Sequence, residues 1–497
     1  MMNTGATPTN RQRHRHVREM VDRLPQAQRL ARLPFRRTIV DQHHRQRLAA
    51  PHAISVLRTH AAAYNAANRR ACRRRKTLRL RMKNPLPTLR ALRHHNFRLF
   101  ISGQAFALIG YWMQSIAQAW LLYKMTDSAT LLGILGFASS LPILLLSPFA
   151  GIWSDRCNLH RVMFATQVLE MAQAITLAAL ALTGNLEPWH IIALSMLMGV
   201  LIAIEIPVRH AYLLELVGDK ADLPNAIAVT SLMANCGRLI GPALAGLVIG
   251  WLGESACFAI NAVSYSAVII SFMFIRVTPT VRAAQHQAML QGMREGAHYV
   301  WRSLPIRSLL LLLTVVGLLG TPYISLMPVL VREVFQGGAH QMGFMVGAAG
   351  LGAVAGTLYL ASRASVRGLV RLLTGSALAA GVALAMVAHV KLVWIAMPLL
   401  AVTGFDILVT SVSVNMIVQA IVDDDKRGRV MSLYTVSFMG VAPFGALATG
   451  ALADVIGVAP TLTISGLCCA AGALVLASQH GRIRGELTEA YARLGIK

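Results

Sequence analysis

Long apolar runs separated by short polar junctions occupy the chain from residue 98 onward. Each run is about 20 residues or longer, which allows an α-helix to cross roughly 30 Å of hydrocarbon. The pattern therefore predicts an all-α membrane protein with twelve transmembrane helices. The predicted spans are 98–124, 129–150, 161–183, 189–216, 223–249, 254–276, 307–332, 340–363, 367–390, 391–422, 427–452 and 459–480.

The apolar pattern repeats after 201 residues without a gap. Each copy has a span with an embedded carboxylate, an acid at the next junction, and a span with a proline among small residues. Such self-similarity predicts two six-helix pseudo-repeats, an arrangement in which secondary transporters bind substrate between the repeats. The first copy contains Glu205, Asp222 and Pro242, and the second contains Asp406, Asp423 and Pro443.

Domain limits follow from the same runs. The linker contains an amphipathic segment around Tyr299 and Trp301, which is either a helix on the lipid surface or a tolerated connection. The predicted domains are a basic N-terminal extension at 1–85, a six-helix half at 90–276, a linker at 277–306, a second six-helix half at 307–480 and a tail at 481–497.

Charge is concentrated at the amino terminus. Of the 47 Lys and Arg residues, 24 lie in the first 98 positions, so the net charge of +26 reflects mainly this extension. We expect it to be disordered, because its composition cannot bury a core. It could lie against anionic lipid or contact nucleic acid phosphates, although the absence of a base-reading module makes nucleic acid an unexpected partner. Alternatively, the native chain begins at Met82.

The distribution of basic residues also predicts orientation. If residue 98 starts inside, the inside junctions and tail carry 19 basic residues between 99 and 497, whereas the outside junctions carry only Lys124, Arg332 and Lys391. The positive-inside rule then places both termini in the cytoplasm of a bacterial-type inner membrane.

Catalytic chemistry is not expected. Only 14% of the residues are charged, and the six cysteines show no metal-ligand spacing. No nucleophile–base set and no phosphate-binding G-x-x-x-x-G-K-[ST] loop occurs in the sequence. The chain is therefore predicted to be no enzyme and to need no metal or cofactor.

Two motifs resemble signatures of the major facilitator superfamily. The segment GIWSDRCNLHR (151–161) resembles its loop signature Gly-x-x-x-Asp-Arg-x-Gly-Arg-Arg/Lys, although Asn158 replaces the second glycine. The segment GRLIGPALAG (237–246) resembles the fifth-helix signature of its drug/proton antiporters. Further segments at 206–217, 223–228 and 426–434 look like the branch of enterobactin-type siderophore exporters and macrolide efflux pumps.

The first motif implies a gating loop. In the family, the loop aspartate docks on a neighbouring helix end and releases when the transporter changes the face that it opens. The alternative is that the arginines only follow the positive-inside rule and that Asp155 is a helix cap. The matching residues are Gly151, Asp155, Arg156 and Arg161.

The second motif predicts a small helix face. Gly237, Gly241 and Ala245 recur every four residues, so another helix can pack closely there, and Pro242 allows a bend. Passive packing alone is sufficient to explain this face. The family resemblance implies in addition that the face, together with Gly246, seals the cavity. Arg238 lies near mid-membrane and needs a counter-charge, for which Glu205 and Glu170 are both candidates.

Span one carries a polar stripe at helical spacing. Its side chains share a helix face, so they either line a cavity or bond between helices. In the family, helices one, four, seven and ten line the substrate cavity, which would place Tyr323 of span seven opposite the stripe. The stripe consists of Gln104, Tyr111, Gln114 and Gln118.

Glu205 and Asp406 are the proton-coupling candidates. A carboxyl group in a partly dry cavity binds and releases protons more readily near neutral pH than one in water. The alternatives are an intrahelical pair of Glu205 with Arg209 and, for Asp406, selection of cationic substrates.

These features predict a secondary transporter that exports a small amphiphilic compound, drug-like or siderophore-like, in exchange for protons. We expect it to act as a monomer in the lipid bilayer by alternating access. One alternative is an importer or uniporter of a polar metabolite. Another is a membrane sensor or anchor that presents its basic arm to nucleic acid.

Overall fold

The computed structural model describes residues 87–154, 157–219, 221–277, 289–363, 365–366, 368–423 and 426–493. The predicted disordered extension and Met82 therefore lie outside the described residues. Asp155 and Arg156 of the predicted gating loop lie outside them as well.

The first part of the described chain forms six long α-helices after a short 3-10 helix at Pro87–Arg93. We call these six helices the first half. They are α1 (His95–Thr126), α2 (Ala129–Ser154), α3 (Leu159–Leu182), α4 (Pro188–Val217), α5 (Leu223–Leu252) and α6 (Glu254–Phe274).

The second part begins with a linker helix, α7 (Met289–Arg302), and ends with a tail helix, α14 (His480–Arg493). We call the helices between them the second half. They are α8 (Leu304–Ile324, extended by Met327–Val329 and Leu330–Val334), α9 (Ala339–Ala361), α10 (Leu369–Val387), α11 (Val393–Ile421), α12 (Arg427–Ile456) and α13 (Val458–Ser478).

Eleven helices in the described part of the chain are long and apolar enough to cross a membrane. The protein is therefore a multi-pass membrane protein. The remaining long helix, α1, has 32 residues but is less apolar. Its three glutamines, Gln104, Gln114 and Gln118, are all buried inside the protein, so their amide groups are withdrawn from the lipid.

The predicted duplicated prolines have different effects on their helices. Pro242 lies inside an uninterrupted α5, whereas Pro443 starts the last segment of α12 directly after a π-helical turn at Val436–Gly440. In α8 a π-helical turn at Val316–Gly320 likewise precedes Pro322. Because proline lacks an N–H group and clashes with the preceding turn, a widened turn is one way to accommodate it.

The two halves contact each other through α2 with α12 and through α5 with α9. A Cβ atom on Gly450 would lie 2.6 Å from the carbonyl oxygen of Ala129, so these backbones are in direct contact. On the other side, a Cβ atom on Gly246 would lie 2.9 Å from the carbonyl oxygen of Ala339. These contacts lie toward one end of the bundle, which we call the sealed end, at the turns 127–128, 253, 338 and 457.

Charged contacts also join the halves at the sealed end. The Arg332 guanidinium lies 2.7 Å from the Asp127 carboxylate, and its charge lies 5.8 Å from the centre of the Tyr123 ring. The Tyr123 hydroxyl donates a hydrogen bond of 2.8 Å to Glu333. Both interactions join the end of α1 to the end of α8.

At the opposite end, the duplicated acids bind the segments that precede each half. The Asp222 side chain is fully buried, and its oxygens lie 2.7 Å from Arg90, 2.6 Å from Arg93 and 2.9 Å from His94. Asp423 accepts a hydrogen bond of 3.1 Å from Tyr299 of the linker helix. Each acid thus attaches the segment that directly precedes its half, which we call the lead segment, to that half.

Candidate functional site

A buried charged cluster lies near the middle of the first half, where α3 and α4 pack together. Glu205 and Arg209, one turn apart on α4, form an ion pair of 2.7 Å. From α3, the Gln167 amide donates to Glu170 at 3.0 Å and to Glu205 at 3.2 Å. Glu170 and Glu205 are 2% and 3% exposed, so this cluster is removed from bulk solvent.

The cluster contains two carboxylates and one guanidinium. If both acids are ionised, one negative charge is left uncompensated, and such a charge is costly at bilayer depth. The Oε1 atom of Glu170 makes no direct hydrogen bond of standard geometry among the described residues, and the Tyr265 side chain of α6 interacts with the same carboxyl group. One bound proton would make the cluster neutral, and Glu170, which forms no ion pair of its own among the described residues and also contacts Tyr265 of α6, is the member that we expect to carry it.

The polar stripe of α1 lies next to this cluster. The Gln114 amide donates to Gln173 of α3 at 3.0 Å and accepts from Asn261 of α6 at 2.8 Å, so Gln114 joins three helices. Gln104 and Gln118 are buried, and their amide nitrogens have no partner among the described residues. Tyr111 interacts electrostatically with Glu170 and Glu205, so the stripe and the cluster form one polar region.

Asp406 occupies a separate position in the second half. It lies near the middle of α11, is 6% exposed and interacts with the Ser376 hydroxyl of α10. No ion pair or hydrogen bond joins it to Glu205 within the described part of the chain. The two predicted coupling acids therefore lie in different halves, and each contacts a neighbouring helix of its own half.

The small face of α5 packs against α1. A Cβ atom on Gly237 would lie 2.8 Å from Leu108, and one on Gly241 would meet Trp112. The next part of α5 turns toward α9 of the other half, where Gly343 lies against the carbonyl oxygen of Pro242. The predicted seal residues thus lie along both the helix contact within the half and the contact between halves.

Arg238 is placed differently from both candidate counter-charges. Its guanidinium lies 5.3 Å from the centre of the Trp112 ring of α1. Among the described residues no carboxylate lies within ion-pair distance of it, and both Glu170 and Glu205 belong to the cluster with Arg209. Arg238 interacts electrostatically with Tyr111 and Tyr323, which brings a predicted cavity residue of α1 and one of α8 to the same place.

In the described part of the predicted gating loop, Asn158, which departs from the family signature, makes a structural contact. The Asn158 side chain, which stands where the signature has glycine, caps α3 by accepting a hydrogen bond from the Arg161 backbone N–H at 3.1 Å. Gly151, near the end of α2, faces Pro207 of α4, with 3.9 Å between that ring and a Cβ atom built on the glycine.

Sequence reasoning named Glu170 only as a partner for Arg238 and did not place it beside Glu205. The signal was present, because Gln167 and Glu170 are three residues apart and therefore share a helix face. Which helix that face meets is not encoded in the spacing.

A shallow apolar groove between α9 and α11, around Gly352 and Phe405, contains none of these charged groups.

Comparison with known proteins gives a consistent result. The family described as transmembrane secretion effector matches residues 87–488. The staphyloferrin A transporter of Staphylococcus aureus is 28% identical over 377 residues, which are 74% of this chain and 92% of that protein. The multidrug efflux pump Tap of Mycolicibacterium fortuitum is 24% identical over 356 residues, or 70% and 86% of the two chains.

Solved structures show the same fold. The nucleoside transporter NupG matches with a TM-score of 0.63 over 78% of this chain and 99% of that one. Because the sequence identity is 11%, this likeness concerns the arrangement of helices alone.

Proposed function

Because the chain belongs to the transmembrane secretion effector family of major facilitator transporters, we propose that it exports a small amphiphilic compound in exchange for protons. The protein is a transporter and no enzyme. The similarity to the multidrug efflux pump Tap supports the direction of transport. The observation that best supports proton coupling is the buried cluster of Glu170, Glu205, Gln167 and Arg209.

The cluster provides a proton site on physical grounds. Arg209 compensates Glu205, so a proton that binds to the pair of acids is expected to reside on Glu170. The proton is released when water enters the site or when a positive charge approaches the acid, because both favour the ionised form. A proton taken up from one side and released to the other is the coupling step of an antiporter.

Alternating access supplies the change of side. In the proposed cycle the sealed end is the outer end, and the two six-helix halves rock about the site between them. We propose that α1 is the first of twelve spans, that both termini are cytoplasmic in a bacterial-type inner membrane, and that one chain is the functional unit.

Vesicles with an imposed pH gradient test the coupling. The purified full chain is reconstituted, and the transport of ethidium (a cation), 8-anilino-1-naphthalenesulfonate (an anion) and Nile red (neutral) is followed. The wild type should move at least one probe uphill. Glu170→Gln, which mimics the protonated acid, should abolish uphill transport but keep substrate exchange, and Glu205→Gln should weaken both because it also frees Arg209.

Glu254→Gln is the matched control, because Glu254 forms an ion pair with Lys124 outside the cluster, at 3.0 Å. Its coupling should equal that of the wild type. Full gradient-driven transport by both cluster variants would show that the cluster is structural and that the proposed mechanism is wrong. Equilibration of a probe without any response to the gradient would instead identify a uniporter.

Asp406 is proposed as a second coupling acid or as a charge selector. Asp406→Asn distinguishes these roles in the same vesicles. A carrier role predicts loss of uphill transport for every probe, whereas a selector role predicts loss of ethidium transport with transport of the neutral probe retained. If all three probes behave as in the wild type, Asp406 serves only packing.

A further inference from the structure

One face of α5 changes from exposed to buried along the helix. Ile227, Ala234 and Arg238 on this face are exposed, whereas Ala245 and Ile249, further toward the sealed end, are 0% and 8% exposed. These positions are seven or four residues apart and therefore share one face. Arg238 thus lies at the inner limit of an accessible space, next to the point where the bundle closes.

This face points into the bundle and away from lipid. Ala245 and Ile249 belong to the buried core that also contains Tyr323 of α8. Ile240 and Leu244, on the opposite side of α5, are exposed apolar side chains at 40% and 38%, as expected for a lipid-facing surface. The accessible side of Arg238 is therefore the space between the two halves.

The surroundings of Arg238 leave its charge available. It lies at the centre of a 30-residue helix, where an uncompensated charge is costly. The Trp112 ring provides a cation–π contact, which compensates only part of a positive charge. Tyr111 and Tyr323 interact with it, but both are neutral near pH 7, and no described carboxylate pairs with it.

We infer that Arg238 and Trp112 form the subsite for the negatively charged group of the transported compound, an organic carboxylate with an aromatic or aliphatic body. This inference rests on the proposed function and specifies its substrate class. A guanidinium presents two parallel N–H groups that match a carboxylate, and one cation fits one negative charge. The partly exposed Trp112 ring of α1 offers contact area for the apolar body.

The subsite also has a mechanical consequence. Gly350 of α9 lies against the Arg238 carbonyl oxygen, 3.0 Å from a Cβ atom built on the glycine, so the backbone of Arg238 is at the contact between halves. A substrate bound to this side chain therefore lies beside the surface at which the halves must separate. A substrate shifts the equilibrium between the inward-open and outward-open states only if it binds one state more tightly than the other. The position of this subsite allows such a difference in affinity.

Equilibrium binding to the purified full chain in neutral detergent tests the inference. The probes are radiolabelled 1-naphthylacetate and its uncharged amide, which share the same ring body. The wild type should bind the acid more tightly than the amide. Because hydrogen bonds to a charged group are strong, Arg238→Gln should weaken binding of the acid roughly 10- to 100-fold and leave binding of the amide nearly unchanged.

Two further variants secure the result. Arg238→Lys keeps the charge without the planar fork and should retain part of the preference, even if the glutamine variant does not fold. Arg307→Gln is the matched control, because Arg307 makes a similar contact of 5.2 Å with Trp301 in another part of the protein. It should bind both probes as the wild type does.

Equal affinity of the wild type for acid and amide, or an unchanged preference in Arg238→Gln, would overturn the inference. The gradient-driven vesicle assay is read separately, since it uses the Glu170 and Glu205 variants and probes of every charge. If the wild type shows no preference for the acid, or Arg238→Gln keeps the full preference, while proton coupling behaves as proposed, this subsite alone is rejected. If Glu170→Gln and Glu205→Gln keep full gradient-driven transport while the acid preference depends on Arg238, only the proton mechanism is rejected.

Discussion

The Asp454 carboxylate of α12 caps α2 of the other half by accepting a hydrogen bond of 2.7 Å from the Ala129 backbone N–H. The same carboxylate accepts from the Thr130 backbone N–H and from the Ser128 hydroxyl, both at 2.9 Å. The first turn of a helix has unpaired N–H groups and a partial positive charge, so an acid is favoured there. Here the acid comes from the opposite half, and the cap therefore fastens the sealed end.

We predict that Asp454→Asn shifts the protein away from the sealed arrangement. The loss of a charged cap from an exposed helix end costs about 1 kcal/mol, or roughly a fivefold change in population. The measurement is the distribution of distances between spin labels at Thr130 and Val455, which should gain a longer component. The rate of the step that opens the sealed end should change, whereas substrate affinity should remain nearly the same.

Glu187→Gln is a suitable control, because Glu187 caps α4 within its own half. It should leave the spin-label distances unchanged. If Asp454→Asn also leaves them unchanged, the seal depends on the close backbone contacts at Gly450 and Gly246 and not on the cap.

We predict that Asp222 stabilises the entry to α1 in a pH-dependent way. Its hydrogen bond with His94, together with Arg93 and Arg90, lowers the pKa of the Asp222 carboxyl below its usual value. A carboxyl with a lowered folded-state pKa contributes stability above the unfolded-state pKa, and this contribution is lost as the pH falls through the folded-state value. The loss should therefore occur below about pH 4.

Asp222→Asn should lower the midpoint of thermal unfolding at pH 7 and should flatten its dependence on pH in the acid range. Trypsin cleavage after Arg90 and Arg93 should also become faster, because the lead segment is no longer attached. Asp219→Asn is the control, since Asp219 is exposed and its carboxylate accepts a local hydrogen bond from the Ala221 backbone N–H. Equal cleavage rates in both variants would contradict the docking role.

We predict that a chain starting at Met82 inserts and transports as the full chain does. It keeps the segment Pro87–Arg93, whose Ala91 backbone N–H donates to Asn225 of α5 at 2.7 Å. Removed residues 1–81 are too rich in charge to form an apolar core. The measurement is the amount of protein in the membrane fraction and its transport rate, and loss of either would show that the extension is required.

We predict that Asp155→Asn slows transport while expression remains normal. We propose, from the family resemblance, that this acid docks on a helix end in one state only; such a contact is worth roughly 0.3–1 kcal/mol, so the rate should fall roughly two- to fivefold. The size-exclusion profile of the variant serves as the folding control. Unchanged rates in the vesicle assay would reduce Asp155 to a helix cap.

The sequence alone determined the helices and several of their internal features. Runs of apolar residues must be buried in lipid or in protein, so their lengths predicted the spans. The mixed character of α1 was also visible, because Gln104, Gln114 and Gln118 recur at helical spacing. The offset of 201 residues likewise singled out Asp222 and Asp423, but gave no indication that each would attach the segment preceding its half.

Tertiary structure decided which charges meet. Glu205 could pair with Arg209 on its own helix or with Arg238 on the next, and spacing allowed both. Only the packing of α3 against α4 brings Glu170 and Gln167 to Glu205 and leaves Arg238 facing Trp112. The physical reason is that helical periodicity fixes which residues share a face, whereas the neighbour of that face depends on contacts between distant segments of the chain.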